Sequence, residues 1–246
     1  MTRRLLDLII VDDYRALSHI GADWLEAAIQ AKPDAAIVVA TGVTPMGVYG
    51  ELAARRSGGP IDTSRLRTFQ LDAYLGLTAD DPRSLFGWMR RSFLEPLGIP
   101  EQNVVPLMGD SPDPWEACRS YERAVRVAGG FDISILGLGP NGHLGFNEPP
   151  SPADAPTRVV DLTPESIRSN ARYWGGEEQV PRRALTCGMD LLLDARRTLL
   201  VVSGAHKQQI LRRTIEGPQT PAVPASYLQS APNVTVLVDR VAWQEQ

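Results

Sequence analysis

A chain of 246 residues, 43% of them hydrophobic, is long enough for one or two domains and a sizeable buried core, which excludes a disulfide-stapled miniprotein. Lys and Arg number 25 and Asp and Glu 29, so the net charge is −4, without the basic excess that gripping a phosphate backbone requires. Its apolar runs fall far short of the roughly 20 residues of a membrane-spanning helix, so neither nucleic acid nor a bilayer is expected as a partner.

The opening MTRRLLDLIIVDD sets two arginines before a short apolar stretch, but Asp7, Asp12 and Asp13 interrupt it and no small-residue cleavage site follows. An unprocessed cytoplasmic protein is the expectation. Cys118 and Cys187 stand far apart with no CxxC, which suggests neither a metal site nor a disulfide framework. Gly and Pro are spread as punctuation rather than gathered into a linker, and no repeat is present, so one domain over residues 1–246 is expected.

The first β-branched run covers residues 8–11. Leu17, Ile20, Trp24, Leu25 and Ile29 then recur at three- and four-residue steps, the stripe of an amphipathic helix that Lys32-Pro33-Asp34 ends. A strand at 36–39 leads through Thr41-Gly42-Val43-Thr44-Pro45 into a helix over 45–55. A strand at 67–71 runs directly into Asp72, and helical patterns follow at 84–97, stopped by Gly98, and at 114–127. A strand at 132–136 opens into GLGPNGHLGFNEP, residues 137–149. Residues 150–181 hold many prolines and glycines around a short helical piece at 165–172, a connection long enough to suggest a lid. The chain closes with a strand at 198–202, a helix over 205–216 stopped by Gly217, and a strand at 234–238. Strands alternating with helices in this way predict an α/β fold: a three-layer, doubly wound, mostly parallel, Rossmann-like sheet.

Ligands in such sheets sit beyond the strands' carboxyl ends, so the residues that follow each strand carry the functional reading. Thr41, Gly42 and Thr44 offer backbone N–H groups and two hydroxyls at a helix start, a phosphate-like cradle. Asp72 sits between apolar neighbours whose burial raises a carboxylate's proton affinity, as suits a general base. In residues 137–149, Gly137, Gly139, Gly142 and Gly145 surround His143, and Glu148 is placed to orient its ring. Lys207 opens the helix after the 198–202 strand, within reach of an anion at that mouth. Four polar loops thus converge on a site that holds an anion at one end and moves protons at the other.

These residues resemble the glucosamine-6-phosphate deaminase (isomerase) family, through ATGVTPMGVYGEL, TFQLDAYLGL, SLFGWMRRSFLEPLGIP, GLGPNGHLGFNEP, ALTCGMDLLLDAR and SGAHKQQILRRTIEG. Related 6-phosphogluconolactonases share the fold, but their pattern continues with Leu-Phe-Pro where this chain has Phe146 and Asn147-Glu148-Pro149. The resemblance implies conversion of glucosamine 6-phosphate to fructose 6-phosphate and ammonia, with a small-molecule amino-sugar phosphate as partner, no metal and no organic cofactor. It implies that His143 opens the pyranose ring, oriented by Asn141 and Glu148, and that Asp72 carries a proton from C2 to C1. The phosphate is then held by Thr41, Gly42, Thr44, Arg172 and Lys207, with Arg172 in the lid. A galactosamine 6-phosphate enzyme giving tagatose 6-phosphate, and a non-catalytic sugar-phosphate sensor, are the alternatives. Oligomeric state is not legible in the sequence.

Three departures from the family pattern stand out. Position 141 is Asn where many members have Asp, and position 43 is Val where Gly is frequent. Arg158 is kept, but Val160 and Asp161 replace the Lys and Thr of allosterically activated members, and the sequence ends at Gln246. The expectation is a hyperbolic rate curve that N-acetylglucosamine 6-phosphate leaves unchanged; sigmoidal kinetics relieved by that compound would contradict it. Asn141→Asp is expected to do no more than shift the pH–rate curve.

Overall fold

The computed structural model describes residues 6–59 and 61–244. Residues 1–5, the start of the opening stretch expected to carry no cleaved targeting signal, and 245–246 lie outside the described residues. The chain runs β1 (Leu6–Val11), α1 (Tyr14–Ala31), β2 (Ala36–Val39), α2 (Val43–Gly58), β3 (Arg67–Gln70), β4 (Asp72–Tyr74) and α3 (Leu85–Met89). It continues through β5 (Val104–Val105), α4 (Pro114–Val127), β6 (Ile133–Gly137), β7 (Arg158–Asp161), α5 (Pro164–Trp174) and β8 (Arg183–Thr186). The last elements are α6 (Met189–Leu193), β9 (Thr198–Val202), α7 (Gln208–Ile215), β10 (Val234–Asp239) and α8 (Arg240–Trp243).

Seven strands form one parallel sheet in the order β1-β10-β9-β6-β2-β3-β5. Its central strands are apolar on both faces, as a sheet covered by helices on each side requires. Ala36 and Val38 of β2 point into the layer that includes α4 and α7 and pack with Tyr121, Val125, Leu200 and Leu211. Ile37 and Val39 point the other way, against Leu17, Leu25, Val48 and Leu52 of α1 and α2. Caps fix the helix starts: Asp13 accepts from the Ala16 N–H before α1, and Asp113 from Trp115 and Glu116 before α4, whose first residue is proline.

A second, three-stranded sheet has the order β4-β8-β7 and is antiparallel. It is where structure and sequence pattern differ most. Residues 150–181 contain a strand, β7, and a helix, α5, longer than the 165–172 piece in the pattern. Four strands of two to four residues, β4, β5, β7 and β8, are too short to leave a periodic mark and exist because of partners distant in sequence. The helix expected over 84–97 is interrupted, α3 passing at Arg90 into a turn of π-helix through Leu94. Among the described residues no helix is long and apolar enough to cross a membrane.

Leu25, fully buried between α1 and the sheet and remote from the strand ends that carry the polar loops, tests this core. Leu25→Ala is expected to cost about 2–5 kcal/mol, read as a lower urea midpoint with an unchanged m-value.

Candidate active site

Connections leave the sheet in opposite senses on either side of the β2/β6 boundary, with β3 and β5 beyond one strand and β9 and β10 beyond the other. The last bond between the two is Ala40 N–H to the Ile135 carbonyl, 3.0 Å. Beyond it the chains part, and a crevice opens at their carboxyl ends, where doubly wound sheets bind ligands. The cavity there measures about 960 Å³ and is lined by Thr41, Gly42, Thr44, Asp72, His143, Arg172 and Lys207. Asn141 and Glu148 do not line it; they stand behind His143.

Glu148 is the centre of the network behind the imidazole. Its Oε2 lies 3.2 Å from His143 Nδ1, accepts from Asn141 Nδ2 at 2.8 Å, and accepts from the Thr163 hydroxyl at 3.1 Å. Burial by itself would raise this carboxyl; hydrogen bonds and charge from His143, with Ser166 and Asn141, outweigh it and bring Glu148 down to about 2. An ionised acceptor at Nδ1 keeps the proton on that nitrogen, which leaves Nε2 without a protein partner among the described residues. Asn141 does not touch the ring: its Nδ2 serves Glu148, and its Oδ1 accepts from the His143 backbone N–H at 3.3 Å. The ring lies so close over Gly139 that a Cβ there would stand 2.2 Å from Cδ2 and Nε2.

Asp72 opens β4, and its backbone is fixed by the Gln70 amide, which donates to the Asp72 carbonyl at 2.7 Å. Its carboxyl is buried with no charged partner to offset the loss of water, which pushes it up to about 7. A base poised near neutrality results.

The other end of the cavity is cationic. Gly42, at φ +119°, caps α2, and the N–H groups of that 16-residue helix face the cavity with its positive dipole end. Val43 is the first helical residue and exposed at the cavity's rim, and its backbone is not in the left-handed region, so the missing glycine there creates no backbone strain. Tyr14 braces this loop, accepting from Gly47 N–H at 2.9 Å and donating to the Val43 carbonyl at 3.0 Å. Lys207 donates one N–H to the Leu138 carbonyl at 2.7 Å, and burial, with Arg172 nearby, lowers its ammonium to about 8. Arg172 reaches the cavity from α5, its guanidinium 4.7 Å from the Tyr173 ring centre.

Several residues of the site escaped the sequence reading. Thr163 and Ser166 begin α5, and the Ser166 hydroxyl lies 3.3 Å from His143 Nδ1. Thr-Pro-Glu-Ser is legible as a helix start, but nothing local says that this start leans on Glu148. Trp88 against Tyr173 at 5.3 Å, Tyr74 against Trp174 at 5.2 Å, and Arg83 over Trp174 at 4.8 Å close the wall between α3 and α5. Among the described residues no group of three or more His, Cys, Asp and Glu is gathered as metal ligands would be.

The sequence profile of the family described as "Glucosamine-6-phosphate isomerases/6-phosphogluconolactonase" matches residues 14–237. A glucosamine-6-phosphate deaminase of Halothermothrix orenii is 39% identical over 96% of this chain and 98% of its own length. A solved structure described as a monomeric glucosamine-6-phosphate deaminase superposes with a TM-score of 0.93 at 36% identity, over 96% of this chain and 98% of that one. The 6-phosphogluconolactonase of Trypanosoma brucei, at 20% identity and a TM-score of 0.78 over 96% of this chain and 97% of that one, shares the fold.

Two variants test this geometry. Gly139→Ala forces the imidazole off its seat and is expected to lower kcat by roughly 10–100-fold in a folded protein, with unaltered kcat excluding the assigned ring position. Asp72 has a folded pKa above its unfolded value, so the native state holds the extra proton and stability falls as pH rises from about 4 to about 7, by up to roughly 4 kcal/mol. Asp72→Asn removes that loss, and its gain in Tm over the wild type is expected to be larger at pH 8 than at pH 5.

Proposed function

The chain belongs to the glucosamine-6-phosphate isomerase/6-phosphogluconolactonase family, and from that premise we propose that its cavity converts glucosamine 6-phosphate to fructose 6-phosphate and ammonia. One observation carries the reading: a buried carboxyl near neutrality and a carboxylate-oriented imidazole share one cavity with a helix N-terminus, a lysine and an arginine. The relatives described as deaminases support it at 36–39% identity over nearly full length.

The sugar's phosphate lies against Thr41, Gly42 and Thr44, with Lys207 and Arg172 neutralising it. His143 Nε2 takes the proton of the C1 hydroxyl and passes it to the ring oxygen as the pyranose opens and C1 becomes a carbonyl. Asp72 takes the proton from C2 while the substrate's own ammonium group gives one to the C1 oxygen, giving an enolamine. Return of the proton from Asp72 to C1 leaves a protonated imine at C2; water adds there and the nitrogen departs as ammonia, its extra proton passing to solvent, leaving the ketose. Each step moves protons between positioned groups, so no organic cofactor is called for. Residues 150–181 act as a lid, because α5 brings Arg172 to the phosphate while its first turn holds Glu148 through Thr163 and approaches His143 through Ser166. Closure of the lid and orientation of the imidazole are then one event. The reading carries a cytoplasmic location with it, in keeping with two buried free cysteines.

The test is ammonia release from glucosamine 6-phosphate, with galactosamine 6-phosphate in parallel. Faster turnover of the gluco sugar is expected, and loss of about 10²–10⁴-fold in His143→Ala and Asp72→Asn. Binding without turnover would make the protein a sensor, and preference for the galacto sugar would reassign it. The acid limb of kcat/KM is expected near pH 7, activity falling below it as Asp72 takes up its proton. Thr163→Val, which unties the lid from Glu148, is expected to lower kcat with a smaller change in KM.

A further inference from the structure

His206 takes no part in the chemistry above, yet it lines the cavity at its cationic end. It belongs to a single 3-10 turn, Ala205–Lys207, between β9 and α7, and its ring folds back over Gly204: a Cβ on that glycine would stand 2.9 Å from imidazole Cε1 and Nδ1. The turn is pinned from beneath by Asp239, at the end of β10, which accepts from Ser203 Oγ at 2.5 Å and from Gly204 N–H at 3.2 Å. The charged groups around the imidazole are Lys207 on its own turn, Arg172 from α5, and Asp239. The imidazole is exposed at the cavity's mouth; its partial loss of water and the two cations outweigh the one carboxylate and hold it below its usual range, which favours the neutral form before a ligand binds.

Resting on the reading of the cavity as a sugar-phosphate site, we propose that His206 is a proton-coupled ligand of the substrate's phosphate. A dianion seated between Lys207 and Arg172 reverses the sign of the local field. The imidazole then takes a proton from solvent and donates it in a hydrogen bond to a phosphate oxygen, so that one proton enters as one phosphate binds. Affinity therefore rises as pH falls from about 8 towards 6.5, and declines again once the ligand's own second ionisation, near pH 6, is reached. pH acts here on substrate affinity, which binding of a non-reacting ligand reads apart from the proton transfer assigned to Asp72. Lys207, near 8, adds proton uptake only at the alkaline end of that range.

Glucitol 6-phosphate is the probe, since it has no amino group to titrate and no carbonyl to isomerise. Calorimetric titration of the full-length protein at pH 7, in two buffers of different ionisation enthalpy, reads the protons taken up per ligand bound. The wild type is expected to take up a substantial fraction of a proton, and His206→Gln to lose most of it. KM of the variant for glucosamine 6-phosphate is expected to exceed that of the wild type by roughly threefold to tenfold at pH 6.5 and to converge on it at pH 8.5, a change of ten corresponding to one pKa unit. His206→Lys, which carries its charge throughout, restores tight binding with a KM nearly flat across that range, a rescue that a merely structural role for His206 would not give. Equal proton uptake in wild type and His206→Gln, or parallel KM profiles, overturns the proposal. If the wild type binds glucitol 6-phosphate and releases ammonia without taking up a proton, His206 alone has been misassigned; if it does neither, the sugar-phosphate reading falls and takes this one with it.

Discussion

Beyond the Ala40 to Ile135 hydrogen bond, β2 and β6 have no further ladder to share. From β2 the chain passes into α2 and the layer of α1; from β6 it turns into Leu138 and Leu144 in the opposite layer. The parting is imposed by strand order, because a parallel sheet that grows in both directions from its centre must send two neighbouring connections to opposite faces. That divergence places the crevice that forms the cavity. It presents the start of α2 on one side of the crevice, the glycine-rich loop with His143 on the other, and Lys207 and Asp72 from the strands beyond.

The two carboxyl groups illustrate how burial with and without partners gives opposite results. Glu148 and Asp72 are similarly inaccessible, at 7% and 8% exposure, yet the first is held near 2 and the second near 7. Glu148 is surrounded by an imidazole, an amide and two hydroxyls that stabilise its charge, so it remains an anion that aims a ring. Asp72 lies among apolar neighbours and has no such compensation, so its proton is exchangeable near neutral pH. In the proposed reaction, positioning and proton transfer are thus divided between two residues of nearly the same chemistry by their surroundings.

The small antiparallel sheet and α5 complete what the large sheet begins. β4 carries Asp72 and pairs with β8, which pairs in turn with β7, and β7 leads into the Thr163 cap of α5. Asp72, the Thr163 and Ser166 hydroxyls and Arg172 are therefore connected through one short sheet, packed on Tyr74, Phe146, Leu162, Ile167 and Trp174. Under the proposed function, a substrate that draws Arg172 inward acts on the same element that touches Glu148.

The sequence by itself determined the parallel sheet, the long helices and the principal chemical groups. Those features are local: β-branched runs, apolar residues at helical spacing, capping residues, and polar residues directly after strands. Asp72, His143 and Lys207 were legible because a carboxylate, an imidazole and an ammonium at strand ends fall at the ligand-binding edge of any doubly wound sheet. Tertiary structure alone decided that Asn141 serves Glu148 rather than the imidazole, that Thr163 and Ser166 reach the same cluster, and that residues 150–181 hold a strand as well as a helix. It also decided that His206 shares one cavity with Lys207 and Arg172. Each of these depends on a partner many residues away, and a contact closed across the chain leaves no periodic trace in the segments that make it.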